Sequence, residues 1–142
     1  MIRCAPESIA LPTGKNWYFL LVAEVKGSNY SAERARRQIS KYAEVLHAPW
    51  AMVATPHHVQ LFRAVVGDRL EPVDSMPMSR LVAYYGQQNE RELYFEPYVR
   101  TMLELWLRDL TIHWKKADEP PPSFGPKEFH AAVDTGTLLI EP

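Results

Sequence analysis

A carboxylate and an ammonium stand two residues apart, Glu24 and Lys26, at the end of the apolar run WYFLLVAEVK. In an extended strand successive side chains alternate faces, so the two share one face and can meet. Burying either charge alone costs several kcal/mol, so such a pair needs either a partner or a chemical role. Phosphodiester hydrolysis offers the role. A carboxylate holds a hard cation through oxygen, the cation activates water, and an ammonium steadies the reacting oxygens. Taken alone, E-x-K is a short pattern that also describes an exposed ion pair at a strand end, so its meaning depends on the elements around it.

Other chemistries find less support. Cys4 is the single cysteine, which excludes a disulfide framework and a thiolate zinc cluster and fits a reducing compartment, the cytoplasm. The histidines at 47, 57, 58, 113 and 130 show no H-x-x-x-H or H-E-x-x-H spacing. No G-x-S-x-G, P-loop or G-x-G-x-x-G occurs, and nothing in the order of Ser, His and Asp suggests a triad. No segment is apolar for long enough to span a bilayer, and the N-terminus lacks the apolar core of a signal peptide. The net charge is −1, but residues 1–46 carry seven Lys/Arg against four Asp/Glu while residues 47–142 carry nine against thirteen. The basic excess lies in the half that holds the candidate chemistry.

The elements that must position Glu24 and Lys26 read as an α/β arrangement. Residues 2–11 mix apolar and small residues, 13–16 form a turn, and 17–25 suit a strand buried on both faces. After a turn at 27–29, Ser31 is a candidate N-cap. Residues 32–46 give the clearest helix. At 100° per residue Ala35, Ile39, Tyr42, Ala43 and Leu46 fall within an arc of roughly 100°, and Arg34, Arg37, Gln38 and Lys41 share a neighbouring face. Strands are expected over 49–55 and 59–66, with a turn at Gly67-Asp68. The order strand, strand, helix, strand, strand makes the helix a crossover between parallel strands of a mixed sheet.

From Ser75 onward a helical half is expected. A short helix over 78–85 is closed by Gly86, and a longer one with Pro97 in its first turn runs to about residue 116. Tyr98, Met102, Leu105, Trp106, Leu110 and Trp114 are placed to pack on the sheet or on another subunit. Residues 118–126 read as a stiff polyproline-like linker, and 136–140 as an edge strand. The expected organisation is therefore a core over 1–74, a helical extension over 75–117 packed on it, and a Pro-rich linker and tail over 118–142.

An apolar strand, E-V-K-G, a helix carrying Q-I-S-K-Y, and then P-W-A-M-V-A-T together resemble the PD-(D/E)xK nuclease superfamily. The similarity is to the nuclease domains of type I restriction enzyme subunits and of recombination helicase–nucleases, over about residues 3–65. Those domains carry an acid on a first strand, E-x-K on the next, and a Gln-xxx-Tyr helix behind. Glu24 and Lys26 match E-x-K, Gln38 and Tyr42 match the helical pair, and Pro6-Glu7 stands where the family has Pro-Asp. The resemblance implies a restriction-endonuclease-like mixed sheet and a Mg²⁺-dependent deoxyribonuclease, with Mn²⁺ able to substitute. It implies Glu7, Glu24 and the carbonyl of Val25 as metal ligands, and Lys26 as the group that positions water or steadies negative charge. Gln38 would hydrogen-bond near the site, Tyr42 would support it, and Arg34, Arg37 and Lys41 would meet DNA phosphates.

Two departures keep a second reading open. Glu7 replaces the usual Asp, and the family's helix before the first strand is missing here. An inactive nuclease-like module for DNA binding or protein docking is the alternative. A third reading makes the long aromatic helix the contact of a homodimer or a larger helicase or restriction assembly.

Overall fold

The computed structural model describes residues 2–5, 19–27, 32–65, 69–86, 96–112, 120–134 and 136–140. Its elements follow the chain as β1 (Ile2–Ala5), β2 (Leu21–Val25), α1 (Ala32–Leu46), β3 (Trp50–Ala54), β4 (His58–Val65), β5 (Arg69–Pro77), α2 (Met78–Tyr85), α3 (Glu96–Ile112), α4 (Lys127–Val133) and β6 (Thr137–Ile140). The strands form one six-stranded sheet in the order β5-β4-β3-β2-β1-β6. Among the described strands β2 and β3 are parallel neighbours and the other pairs are antiparallel. The mixed α/β sheet with α1 as crossover is thus present.

Alternation along the strands sorts the core into two layers. Leu21, Ala23 and Val25 of β2, Trp50, Met52 and Ala54 of β3, and Val59 and Leu61 of β4 pack with α2, α3 and α4. Val22, Ala51, Val53 and Phe62 point to the other face, under α1. There Ala35, Ile39 and Ala43, spaced four apart, are buried and Tyr42 is half-buried. The Leu46 side chain lies outside the described residues, as do Trp17, Tyr18, Ser31 and Trp114.

Four differences from the sequence expectation have physical reasons. Strand β2 begins at Leu21, with Phe19 and Leu20 ahead of it. Strand β5 occupies Arg69–Pro77, where no strand was expected and where helix was expected from Ser75. Only Leu70 and Met76 of β5 are buried, so the segment lacks an alternating pattern. It is held by pairing with β4 across a bulge at Leu61/Phe62, and its prolines are tolerated at a sheet edge. Helix α4, within the expected linker and tail, buries Phe129 and Val133 one turn apart, with Phe129 edge-on to Trp50 at 5.5 Å.

The fourth difference is the proline-rich stretch, which lies along α3 instead of standing off as a spacer. Trp106 Nε1 donates to the Pro122 carbonyl at 2.7 Å, and the rings of Trp106 and Phe124 are 5.2 Å apart. Gly125 then turns the chain with φ of 85°, donating its N–H to Asp74 Oδ2 at 2.7 Å; a Cβ there would come within 2.7 Å of Leu61. Trp106 is fully buried within its own chain, so it cannot serve as the interface residue of a dimerising α3. Among the described residues no helix is long and apolar enough to cross a membrane.

Candidate active site

Strand β2 delivers Glu24 to the α1 side of the sheet, because Val22, two residues back, is buried under α1. Lys26 follows the last strand residue, yet its N–H still bonds the Ala54 carbonyl of β3 at 2.9 Å. The ladder therefore extends one step past β2 and turns the Lys26 side chain to the same face as Glu24. Helix α1 then lowers Gln38 and Tyr42, one turn apart, toward that face.

The four side chains form a connected row. Lys26 Nζ lies 3.6 Å from Glu24 Oε1 and donates to Gln38 Oε1 at 2.7 Å. Gln38 Nε2 in turn donates to the Tyr42 hydroxyl at 3.4 Å. An ammonium can only donate, so the carboxamide oxygen must face Lys26 and the NH₂ must face Tyr42, which fixes the orientation of the amide. The side chains of Lys26 and Glu24 are 24% and 16% exposed, partly desolvated but open to a ligand.

The backbone adds an oxygen beside Glu24. The peptide between Val25 and Lys26 is trans and planar, so the Val25 carbonyl points opposite to the Lys26 N–H, away from β3. On that side the pairing of β1 with β2 ends at Ile2–Ala23 among the described residues. A carboxylate and a carbonyl are the hard oxygen donors that a small divalent cation takes, with water and substrate phosphate completing its shell.

Glu7 lies outside the described residues. The described part of β1 runs from Ile2, paired with Ala23 near the Glu24 end of β2, to Ala5, beyond the Cys4–Leu21 pair. Among the described residues no three of His, Cys, Asp and Glu gather into a metal-binding group.

Arg34, Arg37 and Lys41 are all exposed on α1, on the flank that also carries Gln38. Sequence reasoning passed over two further residues of this region. Arg36, on the opposite flank, donates from Nη2 to the Leu70 carbonyl at 2.8 Å and lies 5.6 Å above the Phe62 ring. Gln60 of β4 is register partner to Val53, itself partner to Glu24, so all three share the α1 face in one row across the sheet. A polar residue flanked by Val59 and Leu61 was the visible signal for Gln60.

Two other reactive groups are explained by the fold. Cys4 is buried, and burial pushes its thiol up to about 11, so it is a packing residue and not a nucleophile. Ser123 and His130 come within 3.4 Å, but His130 Nε2 is 2.7 Å from the Phe124 carbonyl. A carbonyl only accepts, so Nε2 carries the proton and cannot take one from Ser123.

Comparison with protein-family models, with curated proteins and with solved structures gives no match.

Proposed function

We propose that this chain is a metal-dependent nuclease domain of the PD-(D/E)xK kind, with a restriction-endonuclease-like core built from β1, β2, α1, β3 and β4. It would hydrolyse DNA phosphodiester bonds in a restriction, repair or mobile-element defence setting, in the cytoplasm. The observation that carries this reading is the Lys26 ammonium, placed between the Glu24 carboxylate and the Gln38 carboxamide at the end of a parallel strand pair.

Glu24 and the Val25 carbonyl would hold Mg²⁺ or Mn²⁺, with Glu7 as further ligand. When bound, such an ion lowers the pKa of a coordinated water and neutralises phosphate charge. Lys26 presents its ammonium to negative charge developing on the phosphate oxygens, and this stabilisation acts in the rate. Gln38 holds the ammonium in place, and Tyr42 holds Gln38. Arg34, Arg37 and Lys41 would contact DNA phosphates without reading sequence.

One observation favours an inactive nuclease-like module for DNA binding or protein docking. Glu7 stands where the family has Asp, and one extra methylene would displace its carboxylate from the tight octahedral geometry that Mg²⁺ requires. A homodimer or a larger helicase or restriction assembly through α3 would have to use its outer side, where Ile112 is 60% exposed.

A plasmid-cleavage assay with Mg²⁺ or Mn²⁺ separates these readings. The nuclease reading expects nicking or linearisation by the wild type and none by Glu24→Gln at an unchanged melting temperature. Wild-type protein that is inert with both ions overturns it and leaves the binding module.

A further inference from the structure

Charge on α1 is sorted between its two flanks. Arg36 bonds the Leu70 carbonyl of β5, so its flank faces β4 and β5. Both acids of the helix stand on that side: Glu33 lines a recess with Phe62 and Pro72, and Glu44 lines one with Val65 and Leu70. Gln38 is two residues from Arg36, about 200° round the helix, so its flank faces β1 and carries the exposed Arg34, Arg37 and Lys41.

Beside that flank the sheet continues through β1 and β6, and among the described residues no second helix packs on this face. Ile2 and Cys4 are buried in the opposite layer, so alternation sends Arg3 to the α1 face, where it is half-buried. Arg3 is register partner to Val22, and Glu24 lies two residues further along β2 on the same face. The two are therefore diagonal neighbours on adjacent strands, with backbones about 7–8 Å apart and on one flank of α1. The Arg3 guanidinium lies 5.2 Å from the centre of the Phe19 ring, which leans it toward the Leu21 end of β2. Its donors lie in the guanidinium plane, so stacking on a ring orients them without consuming them. Phe19 is five residues before Glu24, at most about 17 Å of extended chain, over which one strand of B-DNA carries about five phosphates.

We propose that Arg3 binds a phosphate of the DNA strand that passes Glu24 and Lys26, on the floor of a cleft whose wall is the basic flank of α1. The phosphate it holds is a few nucleotides from the one at Glu24. Arg3, Lys26, Arg34, Arg37 and Lys41 stand on this side, and Glu24 is the one acid of β1, β2 and this flank. A polyanion gains more here than over the β4 and β5 side, where Glu33 and Glu44 stand. The assignment rests on the nuclease reading for the position of the scissile phosphate. It extends that reading by fixing the side of approach and by adding a contact from the floor.

The test reads the salt dependence of duplex binding by fluorescence anisotropy in EDTA, so that cleavage plays no part. Arg3→Met keeps an apolar side chain on Phe19 but removes the charge. It should lower the slope of log K against log salt by about 0.9, the share of one phosphate, while Arg3→Lys should keep the slope. Arg108→Met is the control, because Arg108 is exposed on α3 in the opposite layer and its loss changes net charge equally. Its slope should match the wild type. Equal slopes for Arg3→Met and Arg108→Met overturn the proposal. A second measurement needs no variant. A 1,2-dicarbonyl reagent modifies accessible arginines, and saturating duplex should slow its attack on Arg3 but not on Arg108, as read by mass spectrometry. Arg3 modified at one rate with and without duplex overturns the proposal, as does wild-type protein that binds no duplex. Plasmid cleavage with Mn²⁺ separates the two claims. Cleavage by the wild type with the Arg3→Met slope unchanged defeats the Arg3 contact alone. A lowered slope and a protected Arg3 without cleavage defeat the nuclease reading alone.

Discussion

The ammonium of Lys26 donates to the carboxamide oxygen of Gln38 at 2.7 Å, joining the end of β2 to the middle of α1. Glu24 Oε1 lies farther from the same nitrogen, at 3.6 Å. The helix thus holds the cation more closely than the strand carboxylate does, which leaves carboxylate lone pairs free to serve a second cation.

Lys26→Met tests this division of roles. The methionine retains the stem but removes the donor, and the site is open enough to refill with water. Cleavage should fall about 100-fold or more, as for loss of other preorganised groups that meet transition-state charge. The melting temperature should fall only modestly, because losing the hydrogen bond of this half-buried group costs about 0.5–1.5 kcal/mol. Gln38→Ala should lower kcat less, since the ammonium remains and loses only its anchor. Plasmid-cleavage rates measured beside thermal melts give both readings. A Lys26→Met protein that still cleaves at the wild-type rate would place the chemistry elsewhere.

The basic flank of α1 makes a separate prediction. Arg34, Arg37 and Lys41 are exposed beside Gln38, so a duplex approaching the site would meet them with its phosphates. Replacing all three by Ala should weaken binding alike for unrelated sequences and reduce the slope of log K against log salt by up to about three units. A salt titration by anisotropy reads the slope directly. An unchanged slope would mean that these side chains are only a solvated helix face.

The legible parts of this fold were those written locally. The β2–α1–β3 unit follows from an apolar run, a period of 3.6 through Ala35, Ile39 and Ala43, and a second apolar run. Glu24 and Lys26 share a face by strand alternation, whereas Gln38 and Tyr42 were marked out only by the resemblance of their spacing to the family's helical pair. Strand β5 is not written locally. The run Leu70, Glu71, Pro72, Val73, Asp74 has no alternation, and its extended form comes from β4 across the hairpin. Gln60 and Arg36 were missed for a related reason. Their places on the α1 face depend on the register of β3 and β4 and on a carbonyl at Leu70, none of which a single segment encodes. Helix α4 left only the four-residue spacing of Phe129 and Val133, too short a signal to stand against its proline-rich approach.

Docking of the proline-rich stretch on α3 predicts a stability effect far from the candidate site. Trp106 is fully buried, packs against Phe124, and donates to the Pro122 carbonyl. Trp106→Ala should cost about 3–5 kcal/mol, through lost transfer energy and the cavity left behind. Trp106→Phe keeps most of the packing but leaves a buried carbonyl without its donor, at a cost of about 1–3 kcal/mol. Urea denaturation would give both values. A Trp106→Phe midpoint equal to that of the wild type would show that the Pro122 contact contributes nothing.

Tyr85 and Asp109 couple stability to pH at the junction of α2 and α3. The Tyr85 hydroxyl donates to Asp109 Oδ2 at 2.6 Å, and Asp109 is only 2% exposed. Burial is the largest cause raising the Tyr85 pKa above its ordinary value, followed by the hydrogen bond to Asp109, the Asp109 charge and a smaller contribution from Tyr84. A raised value means that the folded protein keeps this proton at a pH where the unfolded chain has released it. The stabilisation is therefore fully present below about pH 10, the ordinary tyrosine value, and is lost as pH rises past it. At neutral pH, Tyr85→Phe removes the donor from a buried carboxylate and should be less stable by about 1–3 kcal/mol. Above about pH 10 the wild type should lose stability faster than the variant, closing the gap at up to about 1.4 kcal/mol per pH unit. The buried Cys4 thiol, raised to about 11, pulls stability in the same direction but is common to both proteins and cancels in the difference. Thermal melts of the pair from about pH 7 to about pH 11 measure that difference. A gap that stays constant across the range would show that Tyr85 releases its proton as readily folded as unfolded, and that Asp109 does not hold it.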